Sequence, residues 1–394
     1  MKRYILVIFL SFIALTVFAQ SEELDFYTNL YDNATTVTDQ LGIARTVVDA
    51  EIDDSASFYA HALKRILVEY PNVTNQREKN STEDLVRLLA GALGAAEYTD
   101  AGQDLWKAVQ VFSNPLVKAD CIMALGKVGA TDLLPQVVQT LKDMNTSKPQ
   151  DRQTQIGNER IAYAAIVALE QYQDPSGYLP VFFAANAWYK LRVRNQAAES
   201  YPKILEDPAE PLTAVIQDPE YPYDMKYLAL RTIDGSEIED ASKAAVAVSA
   251  LAEGWRGSTN DSLLHMELVK IRKLAIDMIR RYGTEDEAVY PLLERSYREG
   301  VDEEEQLGVV AALSKISTED AAKILASFLN NINTRLQRGT LTKRDERLVR
   351  AIIPALGATQ QEVGQPALRS VLSFDWTNQV ITLANQTLKG GEGE

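Results

Sequence analysis

Apolar residues recur along this chain at intervals of three and four, the spacing of one face of an α-helix, and no stretch of strand-like alternation competes with that pattern. The clearest case runs from Asn114 to Met144. Val117, Cys121, Ile122, Leu125 and Val128 form one helical stripe, and Leu133, Leu134, Val137, Val138 and Leu141 form a second. Gly126 and Gly129 read as the stop of the first helix, because glycine accepts the left-handed backbone that a helix end needs. Thr131 reads as the cap of the second, with Pro135 in its first turn, where a missing N–H costs little. Such a pair has more apolar surface than it can hide alone, so it must pack on similar pairs.

The same pattern returns. Helix pairs are predicted over 158–172 with 175–189, 262–282 with 285–299, 303–316 with 319–336 and 344–356 with 361–372, followed by a last helix over 377–388. Leu125, Leu169, Leu313 and Leu356 occupy equivalent places. Leu125 and Leu169 are 44 residues apart, and Leu313 and Leu356 are 43 apart, lengths that suit a two-helix repeat. Pro180, Pro291 and Pro366 fall near the place of Pro135. Capping signals are read at Thr284 with Glu287, Asp302 with Glu305 and Ser236 with Glu239. Before residue 114 the repeat is harder to see. Helices are predicted over 38–52, 57–70, 83–97 and 101–112, with 71–80 as a loop and Ser81 and Asp84 as a cap and its partner. The middle departs from the pattern, with Pro202, Pro208, Pro211, Pro219 and Pro222 crowded together, so helices there should be short, kinked or replaced by loop. Helical pattern resumes over 225–233 and 237–253. The segment is either a hinge or specialised surface, or a degenerate repeat.

With these elements the chain resembles the HEAT family, and within it the bilin-lyase-like subtype. The resemblance covers residues 114–189 and 262–388. It implies an all-α fold, an α-solenoid of stacked antiparallel helix pairs, and no shared catalytic set. The expected organisation is a cleaved signal peptide over 1–19, a divergent helical cap over 20–113, a HEAT-like array over 114–388 with an irregular proline-rich segment over 199–224, and a disordered tail over 389–394.

Charge and the N-terminus narrow the reading. A formal charge of −15 opposes nonspecific nucleic-acid binding and repels anionic membranes. Lys2 and Arg3 precede a 14-residue apolar run from Ile5 to Phe18, and Val17 and Ala19 supply small residues for cleavage before Gln20. The run is shorter than the ~20 residues of a spanning helix. An exported, periplasmic bacterial protein is expected, without membrane insertion after cleavage; an uncleaved anchor is the alternative. A single cysteine excludes an internal disulfide. Six Asn-x-Ser/Thr sequons, at Asn33, Asn72, Asn80, Asn145, Asn260 and Asn385, read mostly as a consequence of composition.

Catalytic chemistry finds little support. His61 and His265 are isolated, Cys121 falls on a core stripe, and no zinc spacing, phosphate loop or dinucleotide fingerprint occurs. Ser200 and Lys203 form a lone Ser-x-x-Lys without its partner motifs. No cofactor or metal is expected. Two stretches could bind a partner. One is aromatic beside basic: Phe182, Phe183, Trp188 and Tyr189, then Lys190, Arg192 and Arg194. The other is a cationic cluster of Arg335, Arg338, Lys343, Arg344, Arg347 and Arg350. The expectation is a non-enzymatic scaffold or adaptor for a protein or extended polymer. An enzyme or accessory factor of the lyase-like type is the alternative, and a nucleic-acid binder is disfavoured by charge.

Overall fold

The structure, a computed structural model, describes residues 23–52, 54–256 and 261–390. The expected signal segment lies outside these residues, as do the end of the expected tail and the sequon asparagine Asn260. The fold is all-α: among the described residues there are helices and short 3-10 turns and no strand. The chain forms two compact units that divide between Glu206 and Asp207, inside the proline-rich stretch.

The first unit contains α1 (residues 23–33), α2 (Val37–Asp49), α3 (Ala56–Glu69), α4 (Gln76–Ala95), α5 (Gly102–Val111), α6 (Pro115–Val128), α7 (Leu134–Thr146), α8 (Arg152–Tyr172), α9 (Tyr178–Ala184) and α10 (Leu191–Ile204). Helices α2, α4, α6, α8 and α10 contact one another in succession. Helices α3 and α5, and α7 and α9, do the same in a second row, and each of α3, α5, α7 and α9 lies against the even-numbered helix that follows it. The second unit contains α11 (Ala209–Gln217), α12 (Tyr223–Asp234), α13 (Asp240–Arg256), α14 (Ser262–Tyr282), α15 (Val289–Glu299), α16 (Glu303–Ile316), α17 (Glu319–Gln337), α18 (Lys343–Ala358), α19 (Gln365–Val371) and α20 (Asn378–Gly390). Here the even-numbered helices form one row and the odd-numbered helices another. The core lies between the rows, filled by stripes such as Ile122, Leu125, Ile166 and Leu169 in the first unit and Leu325, Leu329, Ile352 and Ile353 in the second.

One corner recurs. Glu97, Gly129, Gln173, Ser317 and Gln360 all have left-handed φ, between 50° and 67°. Each lies four residues after a buried leucine: Leu93, Leu125, Leu169, Leu313 and Leu356. Reversing φ turns the chain off the helix axis while the peptide N–H still reaches back, as Gln173 N does to Leu169 O (3.3 Å) and Ser317 N to Leu313 O (3.2 Å). Four of the five leucines are those the sequence aligned; Leu93 joins them although its region showed no clear repeat.

Several local expectations are corrected. Gly126 does not stop α6. It lies inside the helix, where a Cβ would come within 2.6 Å of Ala168 Cα, so its role is close approach to α8. Gly129 alone ends the helix, with φ 67°. Thr131 opens a 3-10 turn without side-chain capping, and Pro135 sits in the first turn of α7. The loop expected over 71–80 is half helix: α4 begins at Gln76 on an Asn75 cap, and Ser81 lies within it. Thr284 accepts from Asp286 N rather than starting α15, and the Ser236 hydroxyl donates back to Ile233 O at the end of α12. Asp302 caps α16 as expected, accepting from Glu305 N at 3.0 Å. Lys389 and Gly390, placed in the disordered tail, are helical. The crowded prolines go with a short helix, the nine-residue α11, between non-helical connections over 205–208 and 218–222, as expected, but most of them sit at helix ends. Pro202 occupies the last turn of α10, Pro208 and Pro222 are the caps of α11 and α12, and Pro211 is in the first turn of α11.

Candidate partner-binding surface

The aromatic–basic stretch of the first unit is tied down internally. Trp188 is half-buried, and its Nε1 donates to Met144 O at the end of α7 (2.9 Å). Tyr189 is buried and donates to Asn145 Oδ1 (3.0 Å), while Asn145 Nδ2 donates to Pro180 O (2.8 Å). Burial pushes the Tyr189 hydroxyl well above its ordinary range, so it stays a protonated donor. Phe182 is buried against Tyr178 and Tyr201. Arg194 donates through Nε to Ala185 O (3.0 Å), and the Arg192 guanidinium lies 5.0 Å over the Tyr163 ring. The spacing that suggests an interface thus serves to knit the α9–α10 connection onto α7 and α8.

The cationic cluster of the second unit divides into two sets. Arg335 reaches the buried carboxylate of Asp345 (2.7 Å). Arg344 Nε donates to Gln306 Oε1 (2.6 Å), and Arg347 pairs with Glu303 (2.9 Å), both on α16. Asp345 also closes a capping box with Thr342 at the start of α18. These contacts fix the α17–α18 corner. Arg338, Lys343 and Arg350 are exposed and make no ion pair among the described residues. Lys343, Arg347 and Arg350 are spaced i, i+4, i+7, on one face of α18 over roughly 10 Å.

Sequence reasoning missed a set of buried charges in the same unit. Arg272 on α14 and Glu305 on α16 have side chains 2% and 0% exposed and meet through Nε–Oε1 (2.7 Å) and Nη2–Oε2 (3.3 Å). Arg272 Nη1 also donates to Gly254 O (3.2 Å), and its guanidinium lies 4.1 Å from the Trp255 ring centre, with Arg295 at 4.5 Å. Trp255 Nε1 donates to Ser296 Oγ (2.8 Å). Beside this set Lys226 on α12 is buried against Glu253 on α13 (2.5 Å), whose second oxygen pairs with Arg256 (2.9 Å). The available signal was a charge inside an apolar stripe: Arg272 among Leu268, Ala275 and Ile279, and Glu305 in register with Val309 and Ala312.

The reactive residue types are held in unreactive settings. Cys121 is fully buried, and burial pushes its thiol up, away from the thiolate. Ser200 is buried and donates to Glu170 Oε2 (2.5 Å), while Lys203 donates to Glu170 Oε1 (2.7 Å). Partial burial opposes ionisation of Glu170, yet those two hydrogen bonds hold its carboxyl below the usual range; it raises Lys203 in turn. This lysine is a bound cation and no base for the serine. His61 contacts Asp32 (2.9 Å), which also pairs with Arg65 (3.0 Å), and His265 is exposed. Among the described residues no group of three or more His, Cys, Asp and Glu is arranged to hold a metal ion, and no helix is long and apolar enough to cross a membrane. A basin of about 210 Å³ beside Gly357, Gln360, Gln365 and Thr387 and another of about 240 Å³ beside Arg87, Asp120 and Lys127 bring no acid–base or nucleophile–base pair together beyond the Arg87–Asp120 ion pair. No family model matches the chain, and neither does any curated protein.

Proposed function

We propose that this protein is an exported, non-enzymatic helical-repeat scaffold of the HEAT type, an α-solenoid that binds a protein partner through the α17–α18 corner of its second unit. The observation that carries the reading is the division of labour in that corner. Arg335, Arg344 and Arg347 are tied to Asp345, Gln306 and Glu303, and Arg338, Lys343 and, one turn further on, Arg350 are left facing solvent. A rigid mount under unpaired cations suits recognition, because little side-chain and loop ordering is left to oppose binding. The recurring left-handed corners and the two rows of helices support the repeat reading. The basic, apolar and small-residue order of residues 1–19 supports export. The aromatic stretch at Trp188, Arg192 and Arg194 is the lesser site, since its polar groups are engaged within the unit.

The test is crosslinking in the native cell with a photoreactive residue in place of Arg338, and in parallel at Lys142 on α7. A discrete adduct from position 338 and none from position 142 is expected. No adduct at position 338, or identical adducts from both positions, overturns the reading. Fractionation finding the protein in the cytosol overturns the export part of it.

A further inference from the structure

We infer that the corner formed by Arg338, Lys343 and Arg350 accepts a short acidic segment of a partner protein. This deepens the scaffold reading and rests on it. The chain as a whole carries a formal charge of −15, so an unpaired cationic patch on it is a local attraction against a repelling background. The patch is compact. Lys343 and Arg350 lie two turns apart on one face of α18, and Arg338 stands in the connection immediately before that helix, next to the left-handed Gly339 (φ 67°). Arginine offers a planar fork that matches a carboxylate in two-point contact, and two of the three free cations are arginines.

The surroundings select against longer polyanions. Duplex DNA carries one charge per ~1.7 Å of axis and needs an extended cationic track. Here the track stops after Arg350, and the neighbouring helix α16 opens with Asp302, Glu303, Glu304 and Glu305. Glu304 is 82% exposed even though it pairs with Lys273, so a phosphate backbone or an anionic bilayer laid across the corner meets like charge. A short extended peptide with a few Asp and Glu residues needs no such track: it engages the cations one or two at a time, beside Glu303 on Arg347 (2.9 Å) and Glu346 between Lys343 and Arg350 on α18. The start of α18 is not itself a vacant anion site, because Asp345 already fills it through the capping box with Thr342. The selectivity therefore lies in side chains and is accessible to substitution.

The experiment is fluorescence anisotropy of a labelled oligo-glutamate peptide with the full chain. Binding that weakens as salt rises is expected. Arg338→Glu/Lys343→Glu/Arg350→Glu should weaken it by about tenfold or more, the matching Gln variant by less, and Lys142→Glu/Lys148→Glu in the first unit not at all. Unaltered helicity and melting temperature of the three variants establish that folding is intact. Equal affinity of the wild type and the Glu variant overturns the inference, as does tighter binding of a DNA duplex or of phosphatidylserine vesicles than of the peptide. An adduct at position 338 without peptide binding refutes the acidic partner and leaves the scaffold reading standing. Loss of the adduct refutes the scaffold reading itself.

Discussion

The Arg272–Glu305 pair provides a quantitative test of how the second unit is held together. Both side chains are almost entirely out of water, and each ionic atom that can be satisfied is satisfied: Glu305 takes two bonds from Arg272 and one from Val301 N (3.2 Å), and Arg272 adds Gly254 O and the Trp255 face. Removing one partner leaves the other charge buried without a counter-ion, which costs about 3–5 kcal/mol. Glu305→Gln keeps the shape and one acceptor, so its loss should fall near the lower end. Arg272→Met abandons Glu305 and also the stack on Trp255, worth about 0.5–2 kcal/mol more. For a unit of this size each kcal/mol moves the midpoint by about 2–4 °C, so the single variants should lower the transition of the second unit by about 6–28 °C, Arg272→Met by more than Glu305→Gln. The double variant Arg272→Met/Glu305→Leu removes both charges together and should recover most of the loss, because a buried pair is worth little more than apolar residues of similar volume. Calorimetry that resolves the transitions of the two units, with urea unfolding beside it, applied to the wild type, Arg272→Met, Glu305→Leu and the double variant, measures all four corners of the cycle. Coupling of about 2 kcal/mol or more is expected. Single variants within about 0.5 kcal/mol of the wild type, or losses that simply add, would refute the reasoning.

Three other outcomes follow from the same geometry. Gln173→Gly and Gln360→Gly should each stabilise their unit by about 1 kcal/mol in urea titrations, since a side chain at left-handed φ (50° and 53°) costs roughly 1–2 kcal/mol; a loss of stability would contradict the corner geometry. Gly126→Ala should destabilise by about 1–3 kcal/mol because its Cβ meets the Ala168 backbone, whereas Gly91→Ala, with open space around it, should stabilise α4 by up to about 1 kcal/mol; thermal melts that rank them the other way would rule this out. Burial raises the Asp302 carboxyl, but Lys273 and Glu305 N hold it below its ordinary 3.8, so its contribution is present above pH ~4 and fades as pH falls through the depressed value. Asp302→Asn, which preserves the cap, should then cost a few tenths to about 1 kcal/mol near neutrality and nothing in strong acid; a pH-independent difference would exclude the linkage.

Helix placement was legible wherever the apolar period was long and uninterrupted. The bounds of α14 and α16 coincide with those read from sequence, and α6, α7, α17, α18 and α20 agree to within a few residues. Caps were read less well. A Ser or Thr three residues before a carboxylate also occurs inside helices and at helix ends, and only the backbone direction distinguishes Asp302, which caps, from Ser236, which closes the preceding helix. Gly126 shows the same limit: a glycine that ends a helix and one that admits a neighbouring helix are the same letter, separated by 2.6 Å of approach to Ala168. Of the two surfaces proposed from composition, the sequence placed aromatics beside arginines near Trp188 but could not reveal that Asn145, Met144 and Ala185, distant or unremarked in the chain, take up their polar atoms.

What the order of residues decided by itself was an all-α chain of amphipathic helices with a cationic island in an acidic background, because periodicity and net charge are sums over neighbours and need no partner. What the tertiary structure decided was which charges are free. Arg272 and Arg338 are alike as letters, yet one is enclosed with a carboxylate 33 positions away and the other is exposed, with no ion pair among the described residues. That difference depends on which helices are brought into contact, and contact between residues far apart in the chain is not written in any local window.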